Sequence, residues 1–205
     1  MQRARNESSK DNRKQHILDC AEQIIISNGL DALSIARVAK ESKLAVGTIY
    51  LYFEKKEDII AQLTLKSRKV LLNKFIEYTQ GPENALSQIS NLLKAYYHFY
   101  KEFPYYNELV SFYETNAGLE EPEDLVSSSF AINQLVVEIL KKGKLQGLIR
   151  EEVNEIEFSF LLWGTAVGII QIVEIKQNIL KNILNINESD FFDSYIRLII
   201  NSLKV

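Results

Sequence analysis

Residues 43–56 carry the chain's densest run of groups able to hold a polyanion: Lys43, Thr48, Tyr50, Tyr52 and Lys56. Hydroxyls and ammonium groups donate to phosphate oxygens, which fixes a protein's register on duplex DNA. Between them, Ala45, Val46 and Gly47 are small enough for a helix end to sit deep in a groove. Together with Leu51 they offer methyl groups that can meet thymine. No set for making or breaking covalent bonds stands beside this run. There is no Ser/His/Asp or Cys/His set, no phosphate-cradling glycine loop and no acidic metal motif. Two His and one Cys give no metal-ligand spacing. The expectation is a binding protein, not an enzyme, with no catalytic residue, metal or cofactor.

The surrounding pattern supplies the elements that must aim these groups. Ile17, Leu18, Ala21, Ile24 and Ile25 share one face of a helix over residues 13–28, and Gly29 is its stop. Residues 1–12 read as an arm whose Arg3, Arg5 and Lys10 either touch phosphate or stay solvated. Ser34 is placed to cap a second helix over 35–42, with Ile35, Val38 and Ala39 inward and Arg37 and Lys40 outward. Leu44 plugs the turn. A third helix is expected over 46–53, with Ile49 and Phe53 inward. That leaves Thr48, Tyr50, Leu51 and Tyr52 near the outer face, an apolar surface that is wasted unless something covers it. The spacing is that of a helix-turn-helix over about 34–53.

The runs Ser34-Ile35-Ala36-Arg37-Val38-Ala39, Leu44 through Phe53, and Lys56-Glu57-Asp58-Ile59 resemble the signature of the TetR family of one-component transcriptional regulators. The resemblance covers about residues 13–60. It implies an all-helical homodimer, usually a repressor released by a small ligand. By position, Thr48, Tyr50, Tyr52 and Lys56 resemble the phosphate-contacting set, and Ala45, Val46, Gly47 and Leu51 the groove-facing set. Ser34, Arg37 and Lys43 complete the residues expected at DNA. Two positions depart from the family pattern. Lys43 stands where the turn often has Gly, and Leu51 where His or Arg is common.

Charge follows the same division. Residues 1–56 hold ten Lys/Arg and seven Asp/Glu, a net +3, whereas residues 57–205 carry −6. A basic end on an acidic body suits a protein that meets a polyanion at one end. One Cys excludes an internal disulfide. The first sixteen residues lack an apolar signal core, and the charge-free run over 158–173 is shorter than the roughly 20 residues that span a bilayer. The expected location is therefore cytoplasmic, nucleoid-associated when DNA-bound, with no membrane partner. A long helix over 56–79 is expected to join the DNA end to further helices over about 83–103, 105–117, 122–146, 154–181 and 188–203. Gly81-Pro82, Pro104, the loop over 118–122 and Gly147 punctuate them. The fold class is all-α with about nine helices. It comprises a DNA-binding domain over 1–56 and a ligand-binding and dimerisation domain over 57–205.

Two features of that second domain invite function. Nine of the chain's twenty-one aromatics lie between Tyr96 and Tyr113. Tyr96, Tyr97, Tyr100, Phe103, Tyr106, Phe112 and Tyr113, with Trp163 and Glu138, would line a site for a largely apolar, aromatic or acyl-chain effector. Ordinary core packing accounts for the same pattern equally well. For dimerisation the candidates are Trp163, Gly164, Gly168 and Ile172 in the apolar run, and Phe192, Tyr195, Ile196, Ile199 and Ile200 in the last helix, two helices per subunit forming a bundle across a two-fold axis. The resulting expectation is a ligand-responsive regulator, by family analogy a repressor, that binds a palindromic double-stranded operator as a homodimer. The alternative is a helical small-molecule- or partner-binding protein whose DNA-binding module is not used.

Overall fold

A computed structural model describes residues 2–81, 84–116 and 119–205. Among the described residues it has nine α-helices: α1 (Gln2–Asn28), α2 (Ile35–Ser42), α3 (Val46–Tyr50), α4 (Lys56–Thr79), α5 (Ala85–Glu102), α6 (Pro104–Thr115), α7 (Glu123–Leu145), α8 (Glu155–Asn178) and α9 (Glu188–Leu203). A 3-10 turn over Leu30–Ala32 follows α1, and a π-helical turn over Ile179–Ile183 follows α8. An isolated antiparallel bridge links Ile149 and Lys204. The all-α fold is as expected. Pro82 and Gly118, two of the expected break points, lie outside the described residues.

Three boundaries differ from expectation. The segment expected as an arm is helical, because α1 begins at Gln2 and no Pro or Gly interrupts it before Gly29. Helix α3 ends at Tyr50 rather than Phe53. Its last carbonyls are already taken there, the Tyr52 and Phe53 N–H groups both donating to the Ile49 carbonyl at 2.9 and 3.0 Å. The next helix then starts at once, since the Asp58 carboxylate accepts the Glu54 and Lys55 N–H groups at 2.8 and 3.1 Å. Helix α8 gives way at Ile179 to a wider π turn that closes with the Leu184 N–H on the Ile179 carbonyl.

The chain compacts into two units, one of residues 1–68 with 103–126, the other of 69–102 with 127–205. The first unit thus extends past residue 56 and recruits α6 from later in the sequence. Its centre is Ile17, Ala21, Ile25, Val38, Ile49, Phe53 and Ile59, all buried. Side chains tie α6 and the start of α7 to this core. The Tyr106 hydroxyl donates to the Glu22 carboxylate at 2.8 Å, and the Lys66 ammonium donates to the same carboxylate at 2.7 Å. Thr64 donates to the Leu109 carbonyl at 3.2 Å, and Tyr113 to the Glu57 carbonyl at 3.2 Å. Arg68 reaches the Leu125 carbonyl at 2.8 Å and Glu121 at 3.2 Å. Glu22 is only 8% exposed. A carboxylate so placed is tolerated because both a cation and a hydroxyl answer it.

The second unit packs α5, α8 and α9 together. Tyr97 stacks on Phe192 at 4.8 Å between ring centres, and the Tyr195 hydroxyl meets Thr165 at 2.8 Å. Gly143 lies where a Cβ would come 2.7 Å from Ile149 and 2.9 Å from Ala85, so the chain entering α8 crosses α7 at close range.

Removing the hydroxyl in Tyr106→Phe leaves Glu22 short of one donor in a buried place. The expected loss is about 1–3 kcal/mol of unfolding free energy, read as a lower urea midpoint at an unchanged slope.

Candidate nucleic-acid interface and apolar cleft

Helix α2 begins at Ser34, whose hydroxyl accepts the Arg37 N–H at 3.3 Å. It ends at Lys43, which takes the left-handed conformation, φ 56° and ψ 35°. An L side chain there costs about 1–2 kcal/mol relative to glycine. The turn is held by the Leu44 N–H donating to the Ala39 carbonyl at 3.0 Å. Five residues later α3 is over. Ile49 is fully buried on its inner side, while Tyr50 is 53% and Leu51 77% exposed on the other. Lys43, Ala45, Val46, Gly47 and Lys56 are exposed with them, and Thr48 and Tyr52 are half-buried. Lys43, Ala45, Val46, Gly47, Tyr50 and Leu51 are therefore exposed along the turn and α3, with Lys56 exposed at the head of α4.

Two expected members are engaged elsewhere. The Ser34 hydroxyl is spent on the helix cap. The Arg37 guanidinium turns back to the Asn28 carboxamide oxygen and lines a cleft of about 350 Å³ with Asp19, Cys20 and Glu41. The side chain of Asn28 at the end of α1 holds the cation there. Cys20 is half-buried in this cleft, and burial, reinforced by Asp19 and Glu41, pushes its thiol above the usual range. Lys14, unremarked in the sequence, lies 3.3 Å from Gln62 Oε1 and 5.8 Å from the centre of the Phe53 ring, bracing the floor under α3.

The aromatic run is divided between the two units. Tyr96, Tyr97 and Tyr100 belong to the second unit, whereas Phe103, Tyr106, Phe112 and Tyr113 belong to the first. Tyr106 and Tyr113 are buried, and each donates its hydroxyl to a fixed acceptor. Burial, with the Glu22 hydrogen bond, pushes the Tyr106 hydroxyl strongly up. Burial, then Asp58 and Glu121, pushes Tyr113 up to about 12. These two rings are structural core. Glu138 is exposed and pairs with Lys141 at 3.2 Å, so it serves no cavity.

Within the second unit Tyr96 does reach a cleft, facing Trp163 at 5.6 Å between ring centres. Phe75, Leu92, Ile132, Val136, Leu162 and Ala166 complete its apolar lining, with Asn133 and Ser159 as polar members. Its free volume is about 20 Å³, space for one water. Sequence reasoning missed Phe75, Ile132 and Val136, aliphatic and aromatic positions on α4 and α7 with nothing to set them apart from other core residues.

The dimerisation candidates also divide. Phe192, Tyr195, Ile196 and Ile199 are buried within their own subunit, because α9 turns that stripe onto α5 and α8. Ile172 is 44% exposed, and Gly164 and Gly168 have open space where a Cβ would stand. Ile156, Phe160, Leu161 and Ile175 of α8, with Leu198 of α9, are exposed alongside. Helix α8 with its π turn runs 29 residues and is long enough by length and composition to cross a membrane, although its charge-free core is the shorter run over 158–173. Only 28% of its most apolar window is buried inside the subunit.

Residues 17–63 match the family described as bacterial regulatory proteins, tetR family. The chain is 24% identical over 140 residues to the fatty acid metabolism regulator protein of Bacillus subtilis, covering 67% of this chain and 66% of that one, just under two thirds of its length. It is 21% identical over 164 residues to the HTH-type transcriptional regulator UidR of Escherichia coli, covering 78% and 81%. Among solved structures it superposes on the transcriptional regulator FadR from Bacillus subtilis in complex with stearoyl-CoA, at a TM-score of 0.73 and 19% identity over 92% of this chain and 98% of that. A TetR-family regulator from Haemophilus influenzae gives a TM-score of 0.67 and 20% identity over 96% and 99%. At these identities the superpositions establish the fold.

Proposed function

We propose that this chain, which belongs to the TetR family of bacterial regulators, is a cytoplasmic, ligand-released repressor that binds a near-palindromic operator as a homodimer. The observation that carries the DNA-binding role is the exposure of Val46 and Tyr50 on a helix of five residues, and of Leu51 at its C-cap, while Ile49 anchors the inner side. Apolar and hydroxyl-bearing surface left open on so short an element fits a major groove, where phosphates meet the hydroxyls and thymine methyls meet Leu51 and Val46. Specificity then rests mainly on methyl contacts and DNA shape, with Lys43 and Lys56 supplying charge.

Dimerisation is assigned to the open face of α8. Phe160, Leu161, Gly164, Gly168, Ile172 and Ile175 recur at helical spacing on one exposed face, and exposed apolar faces of this kind mark interaction sites. The glycines permit a second α8 to approach closely, and a second copy is preferred to a bilayer as its cover because the family acts as dimers. The effector is assigned to the Tyr96–Trp163 cleft and to an acyl chain. Its lining is aliphatic and aromatic, and the similar Bacillus subtilis FadR was solved with stearoyl-CoA. A void of one water's size must open to admit such a chain. The ligand therefore acts by favouring an open conformation that fits the operator less well.

Three measurements test this. Tyr50→Ala and Lys56→Ala should each weaken binding to DNA from the protein's own upstream region by about tenfold, near 1.4 kcal/mol. Lys56→Ala should also lower the salt slope by about one. Unchanged affinity for both would overturn the DNA-binding roles. Gly168→Glu should give a folded monomer by sedimentation at concentrations where the parent is a dimer, and an intact dimer would remove α8 from the interface. Stearoyl-CoA should raise the melting temperature by several degrees, following the usual mass-action stabilisation, where free CoA does not. Equal stabilisation by both would exclude the acyl chain as the recognised part.

A further inference from the structure

A second cleft, of about 340 Å³, lies in the second unit where α8 ends and α9 begins. It shares no lining residue with the Tyr96–Trp163 cleft. Val173, Leu180 and Ile186 form its apolar walls, and Gln177, Lys181, Asn185 and Glu188 its polar ones. The wall is a built turn. The π turn over Ile179–Ile183 carries Lys181, the Ile186 N–H donates to the Leu180 carbonyl at 2.7 Å, and Asn185 is held at φ 54°. Both π turns and left-handed non-glycine residues are uncommon and concentrate at functional sites.

The charges of this cleft do not cancel. Both Glu188 oxygens are taken by the Lys101 ammonium at 2.9 Å each, and the Tyr97 hydroxyl bonds to the same carboxylate. Glu174, the next acid along α8, acts on the Tyr100 hydroxyl on the α5 side. Asn187 spends its oxygen capping the Ser189 N–H at 3.0 Å. Among the described residues the side chains of Lys181, Gln177 and Asn185 make no hydrogen bond or ion pair. The cleft thus holds one uncompensated cation and two amide donors beside three aliphatic walls, and its volume is at the lower end for small-molecule sites.

We propose that this cleft is a second ligand site, for a small carboxylate bearing a short apolar or aromatic tail. The carboxylate meets Lys181 and the amide donors of Gln177 and Asn185, and the tail lies on Val173, Leu180 and Ile186. A charge-assisted pair with neutral amide support distinguishes such an anion from its uncharged analogue. The site does not depend on the DNA-binding role or on the acyl-chain cleft.

Calorimetric titration of the full chain with phenylacetate and hexanoate, and with their neutral amides, tests this. The carboxylates should bind and the amides should bind about tenfold more weakly or less, the usual scale of a charge-assisted contact. Lys181→Gln should weaken the carboxylates by a similar factor without changing the ligand-free melting temperature, whereas Lys176→Gln, one turn earlier, should not. Absence of carboxylate binding, equal binding of the amides, or equal loss in both lysine variants would overturn the proposal.

Discussion

A helix of five residues cannot hold itself in water, since nucleation costs more than so few hydrogen bonds return. Helix α3 exists because Ile49 is locked into the core under α1 and α2. The exposed surface of α3 depends on that single constraint. With Ile49 pinned inward, the 100° step of the helix sends Tyr50 outward, and the chain that continues to Leu51 has no room to turn back. Lys43 sets the angle at which this begins. Its left-handed backbone stores strain, and the burial of Val38, Ala39 and Ile49 on either side offsets it. The exposed surface of α3 is thus a by-product of its buried side.

In the second unit the same accounting of apolar surface gives two different outcomes. Helix α9 has a clean stripe, and the stripe is consumed inside the subunit, on α5 and α8. Helix α8 is apolar on all sides. One side receives α9 and α5, and the side bearing Phe160, Leu161, Ile172 and Ile175 is left over. A stripe is satisfied by neighbours on one side, whereas a helix apolar on most sides needs cover on more than one.

Much of the fold was legible because helices announce themselves locally. Gly29, Ser34 and the periodic apolar positions placed α1, α2 and α4, and the TetR resemblance over about 13–60 named the surface of α3. What escaped was either long-range or locally silent. Glu22 looks like any surface acid of an amphipathic helix, and its partners Lys66 and Tyr106 are 44 and 84 residues away. The aromatic run around Pro104 looked like one wall, but the chain passes from one compact unit to the other within it. Arg37 had the right spacing for phosphate, yet Asn28 competes for it. The end of α3 was overestimated because Leu51, Tyr52 and Phe53 keep helical periodicity while the backbone has already turned.

The recruitment of residues 103–126 to the first unit has a consequence for how the protein is made. Segments needed to finish the first unit lie on either side of α5 in the sequence. During synthesis, residues 1–68 emerge first and have nothing to answer the Glu22 carboxylate except Lys66. Arg68 likewise waits for a carbonyl that is added some 57 residues later. Domains generally fold as units, in the order in which they leave the ribosome. Here the first unit is completed only once the chain has passed residue 126. The nascent chain therefore carries Glu22 and Arg68 without their Tyr106 and Leu125 partners until residues 103–126 have been added.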